Sequence, residues 1–306
     1  MKKVVVFGGA GFLGSHVADA LSEAGYKVTI FDIKPSQYLR SDQTMVKGDI
    51  LDQKLVDSIV SNNDIVYHFA GIADVDECIH KPVDTVEYNI LGTVQILEAC
   101  RNADIDRFVF ASSAYVYSKY GYFYRISKQT CESLIEAYHD LYELKYTCLR
   151  YGSLYGERAD DNNSIRRMLR QALSEGKIIY HGTGDEIREF IHVKDAAESS
   201  VKILEPEFEN QNIILTGTQT MRYSELLDMI KEMLRDDVVV EIIQSKRKAH
   251  YKITPYNFSP KLGKKLITNP HIDMGQGLLL CMADIYESIH GKNHEELGLL
   301  INNEKK

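Results

Sequence analysis

The chain has 306 residues, 44% of them hydrophobic and 26% charged, with a formal net charge of −8. That length can bury a large core and predicts one large domain with a smaller one, and the composition excludes a disordered chain. The acidic balance excludes nucleic acid and anionic membrane surfaces as expected partners, so an anionic ligand needs cations placed locally.

In chain order, the first strand is Lys3–Phe7, entered directly from Met1. Its apolar run is expected to be a buried strand rather than a signal peptide. A helical pattern near 12–24 follows, then strands Lys27–Phe31 and Thr44–Lys47, a helix near 53–61 and a strand Ile65–Phe69. A helix near 82–103, the strand Arg107–Ala111, a helix near 124–141 and the strand Tyr146–Arg150 continue the alternation. Such alternation predicts an α/β protein with a doubly wound parallel sheet. Ser164–Glu175 reads as a helix, and a connection back to the sheet at Ile191 leaves the regular alternation. Asp195–Leu204 and Tyr223–Leu234 read as helices, Asn212–Leu215 and Val238–Ile243 as strands. A tyrosine-rich stretch precedes a last helix, from Asp273 as N-cap to Gly291 as stop signal, and a loosely docked tail after Lys292. The expected division is a sheet domain of 1–155 plus 190–217 and a smaller mixed α/β domain of 156–189 plus 218–306.

Two motifs carry chemistry. Gly8-Gly9-Ala10-Gly11-Phe12-Leu13-Gly14 lies between the first strand and the first helix. Glycines there permit a tight turn and close backbone approach, and a pyrophosphate can rest against the N–H groups of the helix N-terminus. Asp32 closes the second strand, where an acid accepts hydrogen bonds from a ribose diol and repels a 2′-phosphate. This is the fingerprint of a Rossmann-type dinucleotide site, and the acid favours NAD over NADP.

The second motif is Tyr124 with Lys128 one helical turn later, preceded by Ser113. A Tyr-x-x-x-Lys match is expected by chance in a chain with 19 tyrosines, and Tyr115/Lys119 is another. The pattern after Tyr124 is amphipathic and uninterrupted, which places its lysine on the same helix face; Tyr115 leaves a strand end. Tyr124/Lys128 is therefore the expected functional pair. Ionising a tyrosine near pH 7 takes about three units, or about 4 kcal/mol. A cation about 4 Å away supplies about 1 kcal/mol in water and about 4 at an effective dielectric of 20. Lys128 must then act in a partly dehydrated site, helped by a positive nicotinamide ring.

With these residues the chain resembles the extended branch of the short-chain dehydrogenase/reductase superfamily, and within it the nucleotide-sugar epimerases, most closely the UDP-glucose 4-epimerases. Further motifs support the resemblance: Gly48-Asp49-Ile50, His68-Phe69-Ala70-Gly71, Asn89-x-x-Gly92-Thr93, Ser112-Ser113-Ala114-Tyr115-Val116-Tyr117, Leu149-Arg150-Tyr151-x-x-x-Tyr155-Gly156 and Arg188-Glu189-Phe190-Ile191-His192-Val193-x-Asp195. The resemblance implies Ser113, Tyr124 and Lys128 as catalytic residues. It implies NAD contacts from Gly8, Gly11, Phe12, Leu13, Gly14, Asp32, Asp49, Ile50, Phe69, Ala70, Gly71, Asn89, Lys128 and Tyr151. For the substrate, a nucleotide-diphosphate sugar, it implies contacts from Ser113, Tyr124, Ser153 and Arg188, with Arg188 on the phosphates. The sheet domain would hold NAD and the smaller domain the sugar nucleotide. The implied reaction is epimerisation, most closely at C4, in which the ionised Tyr124 takes a hydroxyl proton while a hydride passes to NAD and later returns.

Departures from the family pattern narrow this. Ala114-Tyr115 stands where dehydratases carry Asp-Glu and decarboxylases a glutamate, so no added acid or base is available for eliminating water, which favours plain epimerisation or ketone reduction. Ser153 replaces a frequent asparagine, Ala73 replaces a lysine frequent in 4-epimerases, and the segment from Ser113 to Tyr124 is short. The alternatives are an NAD(P)H-dependent reductase of a keto sugar nucleotide and a non-enzymatic dinucleotide sensor, against which the intact triad counts. The ten histidines form no ligand spacing, so no metal is expected. Cys78, Cys100, Cys131, Cys148 and Cys281, odd in number and without CxxC spacing, point to a reduced, cytoplasmic protein. No apolar run reaches the roughly 20 residues of a membrane span. Apolar stripes on 82–103 and 124–141 point to a homodimer through these helices.

Overall fold

The computed structural model describes residues 1–218, 220–234, 237–244 and 249–255. The chain divides into two compact units, Met1–Ser259 and Pro260–Lys306, and all described residues belong to the first. The expected last helix from Asp273 to Gly291, the tail after Lys292, and Cys281 lie outside the described residues.

Six strands and their helices alternate as the apolar pattern requires. They are β1 (Lys3–Phe7), α1 (Phe12–Glu23), β2 (Lys27–Asp32), β3 (Thr44–Lys47), α2 (Gln53–Val60), β4 (Ile65–His68), α3 (Val75–His80), α4 (Pro82–Asp84), a π-helical turn (Thr85–Leu91), α5 (Gly92–Ala103), β5 (Arg107–Ser113), a 3-10 turn (Ala114–Tyr117), α6 (Tyr122–Tyr142) and β6 (Tyr146–Tyr151). After them come β7 (Ser153–Tyr155), α7 (Ser164–Glu175), β8 (Lys177–His181), β9 (Ile187–His192), α8 (Val193–Lys202), β10 (Gln211–Leu215), β11 (Thr220–Arg222), α9 (Tyr223–Met233) and β12 (Val239–Ile243).

Seven strands form one sheet in the order β10-β6-β5-β4-β1-β2-β3, parallel throughout. Buried on both faces, its strands read as continuous apolar runs; Val4, Val5, Val6 and Phe7 are fully buried. One face packs on α2, α5 and α6 through Val56, Ile96, Leu97 and Ile135. The other packs on α1 and α8 through Val17, Leu21, Ala196 and Ala197. The strand order reverses between β1 and β4, and a ligand crevice forms at the carboxyl ends of the strands beside such a switch point.

Two short sheets stand apart, β11-β9-β7 and β12-β8, over a core of Ile165, Met168, Ile178, Tyr180, Leu227 and Ile230. Here the structure departs from the sequence reading. Ile191 lies in β9, which pairs with β7 and β11, and the chain rejoins the large sheet at β10. The 82–103 helix is interrupted by the π-helical turn. β7, β8 and β11, three to five residues each, carry too little periodicity to be seen in advance.

Candidate active site

The glycine motif joins β1 to α1. Gly8 takes φ of +76°, and a Cβ there would lie 2.6 Å from the Ala70 backbone N, while a Cβ on Gly14 would lie 2.2 Å from the Gly8 carbonyl. The tight turn thus rests on bare backbone at both positions. Gly11 is the N-cap of α1, with no side-chain cap and no acid in the first turn. By contrast α2, α3 and α7 are capped by Asp52, Asp74 and Asn163. The first turn at Phe12 and Leu13 keeps its N–H dipole for an anion.

Asp32 ends β2, its carboxylate accepting from the Ala10 N–H (3.1 Å) and the Lys34 N–H (3.0 Å). Asp49 follows β3 and accepts from the Leu51 N–H at 2.9 Å; buried Ile50 packs against Gly92. Phe69, Ala70 and Gly71 form the turn leaving β4, with Phe69 stacked on Tyr67 at 6.0 Å and tilted against Tyr151 at 6.5 Å. Tyr151 is buried in β6, and its hydroxyl is taken by Ser200 Oγ at 2.6 Å, so only its ring and backbone remain for a ligand. An uncapped helix N-terminus on bare glycine backbone, with an acid at the next strand end, fits a dinucleotide.

The π-helical turn has a clear task. It carries Asn89, whose side chain accepts from the Ile72 N–H (2.7 Å) and donates to the Ile72 carbonyl (3.0 Å) and Ser127 Oγ (3.1 Å). One amide thus ties the loop after β4 to α6, the helix of Tyr124 and Lys128.

Ser113 ends β5 and Tyr124 stands in the first turn of α6; both are buried and line the same cleft. Burial pushes the Tyr124 phenol up to about 12, against the pull of the neighbouring Ser113 hydroxyl, which lowers it. Lys128 Nζ donates to the Ala111 carbonyl at 2.7 Å and lies 5.8 Å from the centre of the Tyr124 ring. Burial lowers its pKa. Dehydration penalises the phenolate before the ammonium, turned toward Ala111, can repay it. The chain's own charges therefore leave Tyr124 protonated at neutral pH.

A buried network fixes these elements. Arg150 of β6 donates to both carboxylate oxygens of Glu132 at 2.9 and 2.7 Å, and Ser112 Oγ donates to the same carboxylate at 2.5 Å. Arg150 also contacts the Tyr117 hydroxyl. Ser112 precedes Ser113 and Glu132 follows Lys128 by one turn, so the network sets the spacing of the pair; removing one partner of such an ion pair costs about 3–5 kcal/mol.

Ser113 and Tyr124 open onto a cleft of about 1040 Å³ that also takes in Ser153, Arg188, Tyr223 and Tyr251. Arg188, in β9, is 7% exposed. Its guanidinium lies 4.4 Å over the Tyr251 ring and 5.8 Å from Tyr223, and donates to the carbonyls of Ile187 and Lys252. Glu186 accepts instead from the Tyr180 hydroxyl and the Thr183 and Gly184 N–H groups, and no carboxylate pairs with Arg188 among the described residues. Ser153 and Tyr251 line the same cleft. Sequence reasoning missed Tyr251 and His250; both lie in the tyrosine-rich stretch, where no period marks a face. Among the described residues no group of His, Cys, Asp and Glu could hold a metal ion, and no helix is long and apolar enough to cross a membrane.

The chain is 32% identical over 298 residues to a putative UDP-glucose 4-epimerase of Methanocaldococcus jannaschii, covering 90% of this chain and 95% of that one. It is 29% identical to a UDP-N-acetyl-alpha-D-glucosaminuronate decarboxylase of Bacillus cytotoxicus over the same shares, 90% and 95%. Among solved structures it is similar to the UDP-N-acetylglucosamine 4-epimerase of Methanobrevibacter ruminantium in complex with UDP-N-acetylmuramic acid, with a TM-score of 0.76 and 28% identity, covering 84% of this chain and 90% of that one. Residues 4–216 match the model of the NAD dependent epimerase/dehydratase family, and the chain belongs to that family.

Proposed function

We propose that this protein is an NAD-dependent epimerase of a nucleotide-diphosphate sugar, inverting C4 through a transient ketone. The observation that carries the reading is that Ser113 at the end of β5 and Tyr124 of α6 line one cleft with the buried guanidinium of Arg188. The names of the relatives support the choice of C4 and of a UDP sugar. Bound NAD would supply the acceptor for a hydride from the sugar carbon and the source of its return, and its oxidised ring would add positive charge to the site.

Tyr124 takes the proton of the sugar hydroxyl and gives it back, with Ser113 holding the same oxygen. The chain alone keeps the phenol near 12, so the positive charge of the oxidised ring would be what draws it down. Gly8, Gly11, Phe12, Leu13 and Gly14 would hold the pyrophosphate, Asp32 the ribose, Asp49 and Ile50 the adenine, and Phe69, Ala70, Gly71, Asn89, Lys128 and Tyr151 the nicotinamide half. Arg188 and Ser153 would hold the substrate diphosphate, since guanidinium matches phosphate oxygens in pairs. In this reading residues 1–155 plus 190–217 serve the cofactor and 156–189 plus 218–306 the sugar nucleotide.

The reading includes a homodimer in the cytoplasm. Val83, Val86, Leu91, Tyr122, Phe123 and Ile126 leave apolar side chains exposed on the 82–91 segment and the start of α6, which supports a self-association face. Cys78, Cys100, Cys131 and Cys148 are free and buried, as in a reducing compartment.

The test is incubation of the purified protein with UDP-glucose, UDP-N-acetylglucosamine and UDP-glucuronic acid without added NADH. Interconversion of one of them with its C4 epimer, at constant nicotinamide absorbance, is expected. In a parallel incubation with added NADH and a keto sugar nucleotide, stoichiometric consumption of NADH would instead make the protein a reductase.

A further inference from the structure

The cleft holds a second hydroxyl in different surroundings. Tyr115, on the 3-10 turn after Ser113, packs edge-on against Tyr124 with ring centres 5.8 Å apart and lines the same cleft. Its hydroxyl lies 2.7 Å from His250 Nδ1, and His250 Nε2 lies 3.5 Å from Asp76 Oδ2. A carboxylate only accepts, so Nε2 carries the imidazole proton and Nδ1 accepts the hydrogen bond from the phenol. A hydroxyl backed by an imidazole, itself backed by a carboxylate, can pass on its proton as it receives another, without ionising first. Ser113, beside Tyr124 in the cleft, accepts from the Tyr115 N–H and reaches no imidazole among the described residues. The sequence reading that Ala114 and Tyr115 bring no added acid or base holds for the motif alone. His250, 135 positions away, completes one.

We propose that Tyr115, His250 and Asp76 form a second acid–base group, which exchanges with solvent the hydrogen on the carbon next to the transient ketone of the substrate. This rests on the epimerase reading, which supplies the ketone. Tyr115 Oη takes the proton from that carbon as its own proton passes to His250 Nδ1. The C–H electron pair becomes a C=C bond, and the carbonyl π pair moves onto the oxygen, which takes the proton from Tyr124. The imidazolium is paired with Asp76, whose side chain is 63% exposed, so its protons exchange with water. The reverse steps return a proton to carbon and to Tyr124, and nothing is oxidised or reduced in the exchange.

The experiment runs the same three UDP sugars with the holoenzyme in deuterium oxide and reads carbon-bound deuterium by mass spectrometry and proton NMR. Epimerisation alone carries the hydride out and back and leaves no deuterium on carbon. Wild type is expected to label the carbon adjoining the inverted centre, and Tyr115→Phe and His250→Gln to lose at least about tenfold of the label per turnover. Counting per turnover keeps slower variants readable. Interconversion without carbon-bound deuterium overturns the proposal, as does equal labelling by Tyr115→Phe. If no sugar is interconverted, the epimerase reading itself falls and takes the exchange with it.

Discussion

In the proposed function, the two sides of the site would recognise their ligands by different means. The dinucleotide side is built from backbone: bare glycines at Gly8 and Gly14, an uncapped helix N-terminus at Gly11, and one acid at a strand end. The substrate side is built from side chains drawn from β5, α6, β7, β9 and the 249–252 segment. A backbone site must be contiguous, because its geometry is that of a single turn. A side-chain site can be gathered from anywhere the fold brings within reach. The first is hard to alter without unfolding it, whereas the second can change one residue at a time.

The sharpest division comes from Tyr124→Phe. It is expected to lower kcat by at least about a thousandfold, because the phenol is the proposed proton carrier. Calorimetric titration should show NAD affinity unchanged. Loss of NAD binding in this variant would erase the distinction between the two sides.

Gly14→Ala breaks the other side. A Cβ 2.2 Å from the Gly8 carbonyl cannot be absorbed by a side-chain movement. Stability should fall by about 1–3 kcal/mol in chemical denaturation, and NAD binding should be lost with the turn. A variant that folds and binds NAD normally would show the turn to be softer than its contacts imply.

Arg188→Ala is a lesser and more selective change. Losing a charge-assisted contact to phosphate should cost about 1.5–3 kcal/mol, or about ten- to a hundredfold in sugar-nucleotide affinity. Affinity for NAD should not move. Equal substrate affinity in wild type and variant would remove Arg188 from the site.

The smallest effect belongs to the structure that joins the two sides. His68 in β4 is fully buried beside Lys128, its Nε2 is hydrogen-bonded to Thr93 Oγ1, and burial lowers its pKa to about 3. The folded pKa lies below the unfolded value of about 6.5, so this contribution is complete above about pH 6.5 and is lost as pH falls toward 3. The slope is at most about 1.4 kcal/mol per pH unit. Denaturation curves at pH 7, 6 and 5 for wild type and His68→Gln test it: the variant should show the shallower decline, and equal declines would clear His68.

How much could be read in the sequence follows the same division. Lys3–Phe7, the glycines and Asp32 lie within thirty residues, and local apolar runs with turn chemistry specify them. The placement of Ser113, Tyr124 and Lys128 was legible because strand end and helix face restrict it. The setting of Arg188 was not: nothing in the sequence says that Tyr251 would cover its guanidinium, or that β9 would leave the large sheet. His250 stayed hidden because its partners, Tyr115 and Asp76, are 135 and 174 positions away. Lys128 was expected to act on Tyr124 through charge, but burial acts on the phenol first, a balance fixed by packing rather than spacing.

The π-helical turn at Thr85–Leu91 has an evolutionary consequence. A π turn holds about one residue more than the α turn it replaces, so the helix here depends on an exact residue count. Deleting a single residue there would restore a regular helix and swing Asn89 by about a quarter of a turn. The amide would leave both Ile72 and Ser127, and the loop after β4 would come loose from α6. Descendants of this sequence are therefore free to vary in the length of their surface loops but bound to keep the count between Pro82 and Gly92.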